Sequence, residues 1–148
     1  MKRVFLVLLI LLMTLIGCNQ KTAKDNLDWE ENLETALQKA KQQNKAVLVN
    51  FTGSDWCIWC KRLSDEVFSK SEFEDFAKEK LILVKLDFPR DIEQSEETKI
   101  YNNNLAQRYG VQGFPTILLF NSSGQLVLTT GYQPGGPINY INHLKSYL

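Results

Sequence analysis

The hydrophobic pattern along the chain alternates between helical and strand-like spacing. Near the start, five apolar residues recur at offsets of 0, 4, 7, 8 and 11, which places them on one face of an amphipathic helix: Trp29, Leu33, Ala36, Leu37 and Ala40. Asp28 is expected to cap this helix and Asn44 to end it. The apolar face is expected to pack against a sheet.

Two uninterrupted apolar runs predict buried strands. Residues 46–51, AVLVNF, and residues 81–88, LILVKLDF, carry the dense β-branched and aliphatic side chains of strands that are covered on both faces. Between these strands the pattern predicts a helical segment that opens at Cys57 and is broken or restarted at Ser69 or Ser71.

The second half of the chain predicts a helix, a hairpin and a last helix. The first of these lies within residues 96–109 and is ended by Gly110. Only the turn NSSG separates TILLF from QLVLTTGY, so these two strands are expected to be antiparallel. Pro137 is expected to start the final helix. The fold class is therefore α/β, a central mixed sheet with helices on both faces.

A leader precedes this domain. Lys2 and Arg3 are followed by the apolar run 4–16, the layout of a secretory signal over residues 1–17. As a helix the run would span only ~20 Å against a bilayer core of roughly 30 Å, so a permanent transmembrane anchor is less favoured.

Cys18 is a candidate lipidation site. The tetrapeptide LIGC, residues 15–18, resembles the bacterial lipobox, in which the residue matching Cys18 is acylated and becomes the new N-terminus. An ordinary signal peptide that leaves a free thiol is the alternative. Residues 18–27 would then be the lipidated cysteine and a polar tether, and 28–148 the domain. We expect a membrane-anchored, periplasm-facing protein of the bacterial envelope.

Composition excludes one class of partner. The 148 residues are 44% apolar and carry 17 basic and 17 acidic side chains, so one domain with its own core is expected and nucleic acid is not. Loss of residues 1–17 removes Lys2 and Arg3 and leaves a net charge of −2. If Cys18 is acylated, Cys57 and Cys60 are the remaining thiols.

The pair Cys57 and Cys60 carries the candidate chemistry. Cys57 falls where a strand gives way to a helix, near free backbone N–H groups that favour thiolate over thiol. Cys60 lies one turn later on the same face and can reach back to Cys57. The spacing thus provides an attacking and a resolving sulfur for thiol–disulfide exchange.

Two other uses of such a pair are a structural staple and a metal site. A disulfide closing so small a loop would stabilise the fold by only about 2 kcal/mol, so a staple is a poor explanation. Two thiolates can hold Cu(I), whereas zinc normally takes four ligands and the single histidine, His143, lies far away in the sequence. No resident metal or cofactor is predicted.

Two motifs resemble the thioredoxin family. VLVNFTGSDWCIWCKR, 47–62, resembles its active-site segment with W-C-x-x-C-K, and YGVQGFPTILLF, 109–120, resembles its Y-G-V-x-x-x-P-T segment. With SSGQLV and Gly131 in the expected places, the resemblance covers roughly residues 28–148. It implies a thioredoxin fold, and it resembles in particular the bacterial envelope thiol:disulfide oxidoreductases, including the DsbH-like reductases.

The resemblance assigns further site residues. Pro115 matches the family's cis-proline, and the main chain of Phe114 would hydrogen-bond an extended partner. Trp56 matches the tryptophan before the first cysteine and is either a packing or a docking residue. With Trp59, these residues form the expected substrate-docking set: Trp56, Trp59, Phe114 and Pro115. Lys61 matches the basic residue after the motif and either favours the thiolate or is simply solvated.

Three features depart from the family pattern. The family's buried acid aligns with Asn50, which cannot exchange a proton as a carboxylate does; Asp55 is the substitute to consider, although it is expected to face water. Ile58 and Trp59 replace the dipeptide Gly-Pro of thioredoxin, so its redox potential cannot be transferred. No clear strand precedes the first helix, so the first strand of the fold is expected to be missing.

The sequence therefore predicts a reductase of protein disulfides that uses Cys57 and Cys60. The expected partners are disulfide-containing envelope proteins and a membrane-embedded electron donor, besides the membrane itself through lipid on Cys18. The same residues would serve an oxidase or isomerase, because the reduction potential decides the direction. A Cu(I)-binding module is the alternative from another class. The acidic stretch 90–97 is expected to be a solvated loop or helix start without its own function.

Overall fold

The computed structural model describes residues 26–148. The predicted signal sequence 1–17, Cys18 and most of the predicted tether lie outside the described residues. Within 26–148, no helix combines the length and the hydropathy needed to cross a bilayer.

The described residues contain a five-stranded mixed sheet in the order β1-β3-β2-β4-β5. Its strands are β1 Trp29–Glu30, β2 Ala46–Thr52, β3 Leu81–Asp87, β4 Thr116–Phe120 and β5 Leu126–Thr130. β3 runs parallel to β1 and β2, whereas β4 is antiparallel to both β2 and β5. The predicted buried strands and the predicted hairpin are therefore confirmed.

Five α-helices cover the sheet in this part of the chain. They are α1 Leu33–Gln43, α2 Ile58–Leu63, α3 Ser71–Lys80, α4 Glu96–Arg108 and α5 Gly136–Lys145. α2 continues directly into a π-helical segment, Ser64–Phe68. The expected break follows this segment, because α3 starts only at Ser71.

The sheet separates two apolar cores, as successive side chains of a strand point to opposite faces. One core joins Leu48 and Leu83 to the side of α2, α3 and α5, where Leu63, Phe73 and Tyr140 are fully buried. The other core lies between the sheet and helices α1 and α4 and contains, among others, Leu33, Val49, Phe51, Val84 and Leu105. The α/β arrangement with helices on both faces matches the expectation.

The start of the domain differs from the prediction. Trp29 is not helical but belongs to β1, where it pairs with Leu83, so the first strand is present. Asp28 does not cap α1, because Asn32 takes that position and accepts the N–H of Thr35 at 2.7 Å. The four-residue spacing from Trp29 to Leu33 fits a helix by coincidence. Asn44 ends α1 in the left-handed conformation, φ 51°, as predicted.

Candidate active site

Cys57 and Cys60 lie at the carboxyl end of β2. A short loop leads from Thr52 to Cys57, which is the N-cap residue of α2 and whose N–H donates to the Gly53 carbonyl at 2.9 Å. Cys60 follows one turn later, with its Cα 5.2 Å from that of Cys57, and the two sulfurs form a disulfide. Both side chains are buried, at 5% and 6% exposure.

The main chain of α2 is directed at the sulfur of Cys57. The Cys60 N–H donates to Cys57 Sγ at 3.2 Å, so Cys57 fills the capping role that a serine or aspartate oxygen usually has. The first N–H groups of a helix have no partner inside the helix and carry its partial positive charge. The same arrangement would stabilise a thiolate at Cys57 once the disulfide is reduced.

The Phe114–Pro115 loop lies at the same end of the sheet. The peptide bond between these residues is cis, as expected for the residue that matches the family's cis-proline. β4 begins directly afterwards at Thr116, which pairs with Phe51 of β2. The loop is therefore held beside the strand that leads to the disulfide.

Trp56, directly before Cys57, makes three contacts with the scaffold. Its indole N–H donates to the Phe88 carbonyl at 2.8 Å, and its ring meets that of Phe114 edge-on at 5.9 Å. The Arg90 guanidinium lies 3.9 Å from the ring centroid. The packing function of Trp56 is thus visible in the structure, and the residue as a whole is half-buried.

Trp59 and Ile58 form the exposed side of the motif. They are 50% and 71% exposed, and as sequence neighbours beside the disulfide they place apolar area together at the surface, which marks a candidate binding surface. The Trp59 ring lies 5.4 Å from that of Tyr132, and the Arg62 guanidinium is 5.1 Å from its centroid. An apolar, partly aromatic surface therefore borders the disulfide.

Lys61 and Asp55 are oriented by main-chain groups. The Lys61 ammonium donates to the Asp55 carbonyl at 2.7 Å. The Asp55 carboxylate accepts the N–H of Asp91 at 2.7 Å and that of Arg90 at 3.0 Å. Chiefly the hydrogen bond from Asp91 holds the pKa of Asp55 below its usual value. The Asp55 carboxylate is thus directed at the loop after β3. Asp55 therefore does not take the place of the family's buried acid.

The segment around Arg90 is a part of the site that sequence reasoning missed. The stretch 90–97 is largely exposed, as expected, but Arg90 and Asp91 also contact Asp55 and Trp56, which was not expected. The sequence signal that could have indicated this is FPR, residues 88–90, an aromatic and a basic residue directly after a buried strand. Composition alone does not show that these residues fold back over the motif.

Asn50 lies behind the disulfide. It is 6% exposed and, among the described side chains, its Oδ1 is a buried atom without a hydrogen-bond partner. It lines a pocket of about 270 Å³ together with Cys60, Lys61, Asp65 and Lys85. Asn50 thus occupies a buried position that shares a pocket with Cys60. At this position the site has an amide where the family has an acid.

The described residues do not form a metal-binding cluster. Residues 26–148 contain no group of three or more histidine, cysteine, aspartate or glutamate side chains close enough to share an ion. The ring of His143 lies among Gln133 and Thr130, with its Nε2 at 3.0 and 3.2 Å from their side-chain polar atoms.

Comparison with known proteins agrees with this geometry. A sequence model of the thioredoxin-like domain matches residues 33–143. Over 126 residues the chain is 40% identical to the disulfide bond reductase DsbH of Chlamydia pneumoniae, covering 85% of this chain and 75% of DsbH. The chain belongs to the thioredoxin-like family. With its cysteine pair in this fold, it is a DsbH-like thiol:disulfide oxidoreductase.

Other members of the family differ in length or in sequence. The chain is 32% identical to the thiol:disulfide interchange protein DsbD of Colwellia psychrerythraea over 117 residues, which are 77% of this chain and 18% of DsbD. The solved DsbH oxidoreductase superposes with a TM-score of 0.77 at 37% identity, covering 90% of this chain and 92% of that one. The oxidised carboxyl-terminal domain of Neisseria meningitidis DsbD gives 0.60 at 17% identity, covering 82% and 100%, and shows the shared fold alone.

Proposed function

We propose that this oxidoreductase reduces disulfides in other proteins, with Cys57 as the nucleophile and Cys60 as the resolving thiol. The observation that carries the proposal is the position of Cys57 at the helix N-cap, where its sulfur accepts the Cys60 N–H. The similarity to a protein named disulfide bond reductase supports the direction of the reaction.

The reaction would proceed in two displacements. The Cys57 thiolate attacks one sulfur of the partner's disulfide, forms a mixed disulfide and releases the partner's other sulfur as a thiolate. Cys60 then loses its proton and attacks Cys57 Sγ, which breaks the mixed disulfide and forms the Cys57–Cys60 bond. Two electrons pass to the partner, which leaves as a dithiol after taking up two protons.

The surface around the disulfide suits an unfolded or extended segment. Ile58 and Trp59 offer exposed apolar area next to Cys57. The main chain of Phe114, before the cis bond, would pair with the partner as an added strand. Trp56 and Pro115 would complete this docking surface, and Lys61 would contribute positive charge near the motif.

The proposed location is the bacterial envelope. The leader 1–17 and the lipobox-like LIGC support a chain anchored through lipid on Cys18 and facing the periplasm. Each turnover leaves the oxidised pair, so a dithiol donor has to reduce it again. We propose a membrane-embedded donor and disulfide-containing envelope proteins as partners; similarity to thiol:disulfide interchange proteins supports an exchange partner of this kind.

Three measurements test the proposal. Cys57→Ser should abolish reduction of insulin disulfides, and Cys60→Ser should accumulate a mixed disulfide that is visible on a non-reducing gel. Activity that persists in Cys57→Ser would refute the assignment. The reduction potential, titrated in thiol/disulfide buffers, should lie near the about −270 mV of thioredoxin, and a value near about −120 mV would mean an oxidase.

A further inference from the structure

Asn50 presents a buried acceptor that no described protein group uses. A buried amide oxygen without a partner is costly, and most such atoms in folded proteins are paired with protein or water. Here Asn50 Oδ1 has no partner among the described groups, and its residue lines the pocket behind Cys60. The pocket, of about 270 Å³, is large enough for several water molecules.

Lys85 brings a positive charge into the same pocket. It is the register partner of Asn50 in the parallel pairing of β2 with β3, so both side chains point to the α2 face of the sheet. Its ammonium lies 5.1 Å from the ring centroid of Trp29, which limits where the side chain can go. The strands thus place an amide and a cation side by side behind the resolving cysteine.

Among the described residues, no carboxylate forms an ion pair with Lys85, although other charged groups lie around it. Lys61 and Asp65 line the pocket from the α2 side, but the Lys61 ammonium is bonded to the Asp55 carbonyl and Asp65 is exposed. Glu31 and Asp87 lie with Lys85 in the adjoining cleft. The Asp87 carboxylate accepts both the N–H and the hydroxyl of Ser54.

We propose that Asn50 and Lys85 are positioning residues for the second displacement, in which the Lys85 cation, through water held by Asn50 Oδ1, stabilises the thiolate of Cys60. The inference rests on the proposed function, which makes Cys60 the resolving thiol. Because an amide carries no charge, Asn50 does not neutralise Lys85 as an aspartate would. The site therefore stabilises the anion with a fixed cation instead of removing its proton with a carboxylate.

The chemistry of the step balances without an added reactant. The Cys60 proton passes to solvent water, while Lys85 stays protonated throughout. The sulfur's electron pair forms the bond to Cys57 Sγ, the bond from Cys57 to the partner's sulfur breaks, and the released thiolate takes a proton from solvent.

The test follows the two steps separately. The full chain with Cys18→Ser, kept in detergent and reduced, is mixed with one equivalent of Ellman's reagent. Cys57 releases the first coloured thiolate at a rate that depends on reagent concentration, and Cys60 releases the second at a rate that does not. Both rates are measured from pH 5 to 9, and circular dichroism checks that each variant is folded.

Lys85→Met is expected to move the pH profile of the second phase to higher pH and to leave the first phase unchanged. Where the profile moves by about one pH unit, the thiolate fraction at pH 7 falls about tenfold while the reactivity of the thiolate rises about threefold, so the second phase should slow about threefold. Lys85→Arg should restore the rate, because it restores the charge. Lys99→Gln, on the far surface of α4, is the matched control and should change neither phase.

Asn50→Asp separates the proposal from general-base catalysis. Its carboxylate would neutralise Lys85, so the second phase should slow at pH 7; a base would instead accelerate it. The inference would be overturned if Asn50→Asp accelerated the second phase or if Lys85→Met left its rate unchanged. It would also be overturned if Lys85→Arg failed to restore that rate. If Asn50→Asp does not fold, Asn50→Ala should slow the second phase, and an unchanged rate there would overturn it too. If the protein without substitutions at Asn50 and Lys85 showed no first phase, Cys57 would not be the nucleophile, and the proposed function itself would be refuted.

Discussion

The indole N–H of Trp56 donates a hydrogen bond of 2.8 Å to the main-chain carbonyl of Phe88. One residue precedes Cys57 and the other follows β3, so this bond fastens the loop after β3 to the disulfide motif. The Phe88 N–H in turn donates to the Thr52 carbonyl at 2.8 Å, and the Phe88 ring lies 4.9 Å from that of Phe114. Trp56 therefore links three loops at one end of the sheet.

Replacement of Trp56 by phenylalanine tests this link. Trp56→Phe keeps an aromatic ring but leaves the Phe88 carbonyl without its donor, which should lower the free energy of unfolding by about 1–2 kcal/mol. Urea titration followed by circular dichroism measures the change. The control Trp59→Phe alters a half-exposed ring and should cost less than about 0.5 kcal/mol. Equal losses in the two variants would contradict a special function of the Trp56 N–H.

Gly53 is required by the position of the same ring. A Cβ at Gly53 would lie 2.5 Å from Cε2 of Trp56, closer than two such atoms can approach. Gly53→Ala should therefore displace the Trp56 ring and lower the free energy of unfolding by about 1–3 kcal/mol. Urea titration would measure this, with Gly113→Ala as the control because no atom lies within 4 Å of its added Cβ. If the two variants were equally stable, the Trp56 ring would be able to move aside without lowering the free energy of unfolding.

Tyr101 of α4 forms hydrogen bonds with the first turn of α1. Its hydroxyl accepts the Leu33 N–H at 2.8 Å and donates to the Glu34 carboxylate at 2.6 Å. Tyr101→Phe leaves that helix N–H without its partner and should lower the free energy of unfolding by about 1 kcal/mol. Glu97→Gln, an exposed change on the same helix, is the control for thermal unfolding.

The alkaline behaviour of Tyr101 gives a second measure of the same contact. Burial, together with the bond to Glu34, raises the pKa of Tyr101 to about 12. Because the folded value lies above the unfolded one, this contribution to stability is complete below about pH 10 and is lost as the pH rises toward 12. Tyr101→Phe should remove that part of the alkaline loss, and an unchanged alkaline profile would contradict it.

The hydrophobic pattern predicted most of the sheet for a physical reason. Every residue of β2 is buried, so the run AVLVNF reports its environment without ambiguity. Trp29 shows the limit of this reasoning. It belongs to a two-residue strand, set by the parallel contact with Leu83, and so short an element leaves no periodicity to detect.

The candidate site was predictable where side chains carry the chemistry. Cys57, Cys60 and Pro115 stand in motifs whose spacing can be read directly, and the structure places them at one end of the sheet. The contacts of Asp55 could not be predicted, because they are made to N–H groups that almost every residue possesses. Lys85 left a weak signal, a lone cation inside an apolar strand, but only the register with Asn50 shows its neighbour.

Asp55 makes the attachment of the loop after β3 dependent on pH. Its pKa is lowered, mainly by the N–H of Asp91, so the folded state favours the carboxylate. A group with a depressed folded pKa contributes stability above its unfolded value, near about 4, and this contribution is lost as the pH falls through the folded value. Asp55→Asn should therefore reduce stability at pH 7, and the difference from the unmodified protein should shrink at pH 3. Urea titrations at the two pH values measure this, with Asp91→Asn as the control because it keeps the donating N–H. A difference of the same size at both pH values would mean that the charge of Asp55 does not hold the loop.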